Sequence, residues 1–141
     1  MTEMITENNW DRVATYPIQT ENDIVLGRQY IRYHAKQMGM GIVDQTRITT
    51  AVSELFRNMY QYAGGGEVVV DMGDVKGHHA LIVTCVDEGP GIENLEQAMN
   101  DGYSSGSGMG YGLPGAKRLV DEFIIESEKD KGTKVRVIKW I

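Results

Sequence analysis

The strongest helical signal in the chain lies between Asp44 and about Ala63. There Ile48, Ala51, Val52, Leu55, Met59 and Tyr62 recur at i, i+3, i+4 and i+7. Asp44 offers an N-cap ahead of this stripe, and Gly64-Gly65-Gly66 ends it. An earlier amphipathic stretch, Glu21 to about Met38, sets Ile24, Ile31, Ala35 and Met38 at helical spacing and stops at Gly39 and Gly41. Short β-branched and apolar runs predict strands over 10–18, 67–72, 80–87, 122–127 and 133–140. Pro17 marks the first of them as an edge strand, and Gly77-His78-His79 reads as the turn between the second and third. A third helix starts at Leu113, with Pro114 in its first turn, and carries Ala116, Leu119 and Val120. A single helical turn is expected near 95–99. The order is β-α-α-β-β, glycine-rich loops, then α-β-β. It predicts a two-layer α/β sandwich: a mixed, mainly antiparallel sheet with helices on one face and the other face partly open to water.

Composition narrows the possibilities. The 141 residues fit one domain over 10–141 behind a polar, flexible N-terminus at 1–9. A single cysteine rules out an intramolecular disulfide and a cysteine zinc cluster. No run approaches the ~18 apolar residues of a membrane span, and the acidic N-terminus lacks a signal-peptide core. A cytoplasmic location, with no membrane partner, is the expectation. The net charge of −6 argues against nucleic acid as a partner. Glycine is in excess, 17 of 141 residues, where the usual ~7 % would give about ten. The surplus falls between Gly89 and Gly115.

Three clusters carry candidate chemistry. Glu54 and Asn58 lie four apart on the second helix. At about 100° per residue they fall at the border of its apolar stripe, Asn58 about 80° and Glu54 about 120° from the centre. An amide oxygen there suits Mg²⁺, and a carboxylate one turn earlier suits a general base; a solvated rim would show the same pair. Asp87-Glu88-Gly89-Pro90-Gly91 follows a strand. There a carboxylate can accept a hydrogen bond from a buried donor, while glycines let a flat group approach the backbone; an ordinary tight turn fits equally. Finally, alternating glycines from Gly106 through Gly108 and Gly110 to Gly112 run into Leu113-Pro114 and a helix. Bared backbone N–H groups at a helix start can make a phosphate cradle; a flexible loop would show the same glycines. Gly132-Thr133 adds a hydroxyl that could bond a base or phosphate, although an ordinary turn accounts for the pair by itself. The P-loop pattern is absent. Gly110-Tyr111-Gly112-Leu113-Pro114-Gly115 matches G-x-G-x-x-G formally but lacks the preceding strand of a dinucleotide fold.

Taken together and in this order, the clusters resemble the GHKL nucleotide-binding superfamily of gyrase, Hsp90, histidine kinases and MutL. Glu54-x-x-x-Asn58 is similar to its N box, Asp87-x-Gly89-x-Gly91 to its G1 box, and Gly108-x-Gly110-x-Gly112-Leu113 to its G2 box. The resemblance covers roughly residues 45–140 and implies the Bergerat fold. No helix pair with a phospho-accepting histidine precedes these boxes, so a complete sensor histidine kinase is not expected. Ser53-Glu54-Leu55-x-Arg57-Asn58, Met99-x-Asp101-Gly102-Tyr103-Ser104 and Leu113-Pro114-Gly115-x-Lys117-Arg118-Leu119 resemble the stressosome branch of small bacterial serine kinases that act on anti-sigma-factor antagonists.

The resemblance implies ATP and Mg²⁺. Asp87 would meet the adenine amino group, with Gly89, Gly91 and Thr133 around the base. Asn58 would hold Mg²⁺. Gly108, Gly110, Gly112 and Leu113 would bind phosphate, 102–112 would form a lid, and Glu54 would be the catalytic base. The implied activity is serine/threonine phosphorylation of STAS-domain stressosome proteins (RsbS/RsbR-like), with a PP2C-type phosphatase (RsbU-like) activated on release. The alternatives are an anti-sigma-factor kinase that binds a sigma factor, and a non-catalytic ATP-gated switch.

Overall fold

The computed structural model describes residues 9–100 and 111–141. The expectations for 1–8 and for residues 102–110 of the lid, including Gly108 and Gly110, lie outside the described residues.

β1 (Asp11–Ile18) leads into α1 (Glu21–Gln37). Thr20 caps α1 with a reciprocal box: its Oγ1 accepts from Asp23 N at 3.1 Å, and Asp23 Oδ2 accepts from Thr20 N at 3.1 Å. α2 (Ile42–Ala63) starts two residues before the expected cap. Gly41 is the N-cap, in extended backbone, and Asp44 is a correction. It sits in the first helical turn, where its carboxylate faces the positive helix end and pairs with Lys139 Nζ at 3.4 Å. β2 (Gly66–Val75) and β3 (His78–Asp87) form a hairpin. Its turn is tighter than Gly77-His78-His79, because both histidines join the ladder opposite Val75 and Asp74. The His78 ring stacks on Trp140 at 4.5 Å, which lengthens the strand. α3 (Leu95–Ala98), α4 (Leu113–Arg118), β4 (Glu122–Glu128) and β5 (Gly132–Trp140) follow. Helix α4 closes at Leu119, one residue before the expected Val120.

The sheet order is β1-β2-β3-β5-β4. All four described ladders are antiparallel, where a mixed sheet was expected. β3 and β4 do run the same way, but β5 lies between them, so no parallel pair forms.

Both long helices cover one face. Ile31, Ile48, Val52, Leu55, Phe56 and Met59 are buried against Val68, Val70, Leu81, Val83, Val135 and Val137. Burying such side chains contributes about 1.5–3 kcal/mol each, which fixes α2 on the sheet and aims its border residues past the strand ends. The opposite face holds only a small cluster, Ala80, Ile82 and Ile138 under Trp10, Val75 and Trp140. Arg136 sits over the Trp10 ring at 5.0 Å. Among the described residues no helix is long and apolar enough to cross a membrane.

Candidate functional site

The carboxyl end of β3, the last turns of α2 and the start of β5 converge on one cleft. It is lined in part by Asn58, Tyr62, Asp87, Gly91, Leu113 and Thr133, and holds about 460 Å³ of atom-free space, its open mouth included. The sequence candidates Asn58, Asp87, Gly91, Leu113 and Thr133 therefore meet, although 75 positions separate the first from the last.

Asp87 ends β3 half-buried. Its Oδ1 accepts from the backbone N–H of Gly89 at 3.0 Å and of Thr133 at 3.2 Å. These two donors anchor the carboxyl at one oxygen. Among the described residues Oδ2 has no protein donor, so it remains an acceptor for a ligand. Burial pushes the Asp87 carboxyl above the usual carboxylate range, and the two backbone N–H groups pull it partly back. Below it, Cys85 is buried on β3 and also forms part of the cleft floor. Burial, with Asp87 nearby, raises the Cys85 thiol far above its ordinary value, so it stays a neutral thiol.

Gly91 must be glycine here. Its φ is +75°, and a Cβ would collide with the carbonyl of Glu128, where β4 enters its turn to β5. The G1 turn thus packs against that turn. Asp130 N donates to Pro90 O at 2.7 Å, and Ile92 N donates to Ser127 Oγ at 2.7 Å.

Asn58 shows how α2 meets the chain that leads into α4. Its Nδ2 donates to the carbonyl of Tyr111 at 2.7 Å. A carbonyl can only accept, so the amide is oriented with Oδ1 left as a hard oxygen ligand. Tyr111 also packs its ring on Tyr62, centroids 4.9 Å apart. Next in the chain, Gly112 adopts φ +68° as the N-cap of α4. A Cβ on it would lie 2.5 Å from Glu54 Oε2, so this carboxylate lies against the glycine backbone. Glu54 Oε1 accepts from Arg57 Nη1 at 2.7 Å. Glu54 is not part of the cleft lining. It stands one helical turn up from Asn58, beside the start of α4.

Sequence reasoning missed Ser127, Tyr62 as a wall, and the Tyr111 carbonyl. Tyr62 carried a signal, one turn beyond Asn58 on the same helix side. Ser127 carried none, because its place depends on β4 register. Among the described residues no three His, Cys, Asp or Glu side chains gather to hold a metal.

Comparison with known proteins agrees with this geometry. Residues 43–140 match the family described as histidine kinase-, DNA gyrase B-, and HSP90-like ATPase. The chain is 48 % identical over 124 residues to the serine/threonine-protein kinase RsbT of Bacillus subtilis, covering 88 % of this chain and 93 % of that protein. It is 37 % identical over 124 residues to the anti-sigma F factor of Clostridium acetobutylicum, covering 83 % and 84 %. A crystal structure of the RsbU and RsbW domains of a Mycobacterium tuberculosis protein superposes with a TM-score of 0.62 at 19 % identity, over 91 % of this chain and 32 % of that one; it speaks to the fold alone. The chain therefore belongs to the histidine kinase-, DNA gyrase B- and HSP90-like ATPases, and within them to the serine/threonine-protein kinases that use ATP.

Proposed function

We propose that this kinase phosphorylates a serine or threonine on STAS-domain stressosome proteins (RsbS/RsbR-like) and, once released from them, activates a PP2C-type phosphatase (RsbU-like). The observation that carries the reading is the 48 % identity to RsbT over nearly its whole length. The cleft then binds ATP, with the adenine amino group at Asp87 Oδ2 and the phosphates toward Gly112 and α4. Asn58 Oδ1 is a suitable ligand for Mg²⁺, with its amide already oriented by the Tyr111 carbonyl. When bound, Mg²⁺ neutralises charge on the β- and γ-phosphates.

Within this reading the chain's own residues have distinct roles. Glu54 Oε2 accepts the proton of the attacking hydroxyl as that oxygen bonds to the γ-phosphorus and the bond to the β-phosphate oxygen breaks. Arg57 steadies the carboxylate through Oε1. Backbone N–H groups at the start of α4 stabilise the developing charge, and Gly108 and Gly110 are proposed to extend that cradle.

The test uses labelled ATP and a purified STAS-domain protein. Label should appear on serine or threonine, and Glu54→Ala should keep ATP affinity while losing transfer by about 10²–10⁴-fold, the usual worth of a general base. Wild-type protein that binds ATP and moves no label to any STAS partner would overturn the substrate assignment. Identities of 34–37 % to anti-sigma F factors favour a second reading, an anti-sigma-factor kinase. Capture of a sigma factor in place of STAS proteins would select it.

A further inference from the structure

Asp87, Thr133 and Ser127 stand directly opposite one another on three neighbouring strands. Asp87 pairs with Thr133 across β3–β5, and Thr133 with Ser127 across β5–β4. Side chains so opposed share one face and touch. Thr133 Oγ1 lies 2.7 Å from Ser127 Oγ, while Thr133 N holds Asp87 Oδ1.

A serine hydroxyl has one proton to give and two lone pairs to offer. One lone pair of Ser127 is taken by the Ile92 N–H at 2.7 Å. The carbonyl of Gly132 lies 3.2 Å from Ser127 Oγ, and it can only accept. If Ser127 gives its proton to Gly132 and receives the Thr133 proton, all three of its positions are used. If Ser127 gives its proton to Thr133 instead, the Gly132 carbonyl loses this donor and one bond fewer is made. The first arrangement satisfies more groups. It consumes the Thr133 proton, so Thr133 presents only lone pairs to the cleft, next to the acceptor-only Asp87 Oδ2.

We propose that Ser127 is a positioning residue for base selection: by taking the Thr133 proton it makes the base end of the cleft acceptor-only, which favours a ring bearing an exocyclic amino group over one bearing a carbonyl at the same place. This rests on the assignment of the cleft to adenine. It adds a selectivity device on β4, at one remove from the ligand. Ser127 acts through Thr133 and through the G1 turn, which it ties down at Ile92.

The experiment compares ATP with inosine triphosphate, which carries a carbonyl where adenine has its amino group and a proton on the neighbouring ring nitrogen where adenine has a lone pair. Calorimetry on the full chain gives the ratio of the two dissociation constants. Wild-type protein should favour ATP strongly. In Ser127→Ala the Thr133 proton is released toward the cleft and can meet the inosine carbonyl. The ATP preference should then fall about tenfold, one ordinary hydrogen bond. Ser127→Thr keeps the hydroxyl and should restore the ratio. Ser127→Cys, a poor acceptor of similar shape, carries the same comparison if the alanine variant is unstable. An equal loss of both affinities in Ser127→Ala, with the ratio unchanged, means that Ser127 merely braces the turn and overturns the proposal. Wild-type protein that binds the two nucleotides equally well overturns the adenine assignment itself.

Discussion

Replacing Asp87 by asparagine tests the cleft at the group on which its chemistry depends. The geometry dictates what the new side chain does. Gly89 N and Thr133 N both point at Oδ1, at 3.0 and 3.2 Å, so the carboxamide must put its oxygen there and its Nδ2 where Oδ2 was. The turn keeps both backbone bonds, and the fold should survive. The ligand amino group, however, now faces a donor. Loss of a hydrogen bond to a charged acceptor removes about 1.5–3 kcal/mol, and an unmatched donor adds a desolvation cost of about 1–3 kcal/mol. The two together amount to about 2.5–6 kcal/mol, or roughly 70- to 25,000-fold in Kd. Titration calorimetry with ATP measures it, with far-ultraviolet circular dichroism as the check on folding. A folded Asp87→Asn protein whose Kd for ATP stays within threefold of wild type would show that Oδ2 does not meet the base, and the adenine assignment would fail with it.

Two more outcomes follow from the same geometry. Asn58→Ala removes the oriented Oδ1 and the bond to the Tyr111 carbonyl. ATP affinity should drop about tenfold more in Mg²⁺ than in EDTA, one charge-assisted contact's worth, and an equal drop in both buffers would remove Asn58 from the cation. The raised Asp87 carboxyl predicts acid sensitivity above the ordinary carboxylate range. Protonation turns the acceptor into a hydroxyl, so affinity for adenosine, which has no titrating phosphate, should weaken as pH falls through the raised value. Folding stability should change the other way. The folded state binds this proton more tightly than the unfolded chain, so the destabilisation from the buried charge at higher pH is relieved on acidification. In Asp87→Asn the pH dependence of adenosine binding should disappear.

Helix α2 was legible in the sequence because its information is local: a stripe at helical spacing fixes which side is buried, and hence that Glu54 and Asn58 sit at its border. The glycine turns at Gly91 and Gly112 were legible for a related reason, since few other residues tolerate such backbone. The cap of α2 was not legible. Asp44 looks like a cap by type, yet Gly41 already has the extended backbone and Ile42 begins the helix, leaving Asp44 to pair with Lys139, 95 positions away.

By itself, then, the sequence determined the elements, their order, the two-layer architecture and the residue types that chemistry could use, because periodicity, glycine backbone and helix border positions depend only on near neighbours. Tertiary structure alone decided that every described ladder is antiparallel, that the Tyr111 carbonyl orients Asn58, and that Asp87, Thr133 and Ser127 stand in one row. Those facts depend on which strand lies beside which and in what register. A shift of one residue would turn Ser127 to the other face, and nothing within β4 itself encodes its alignment with Thr133.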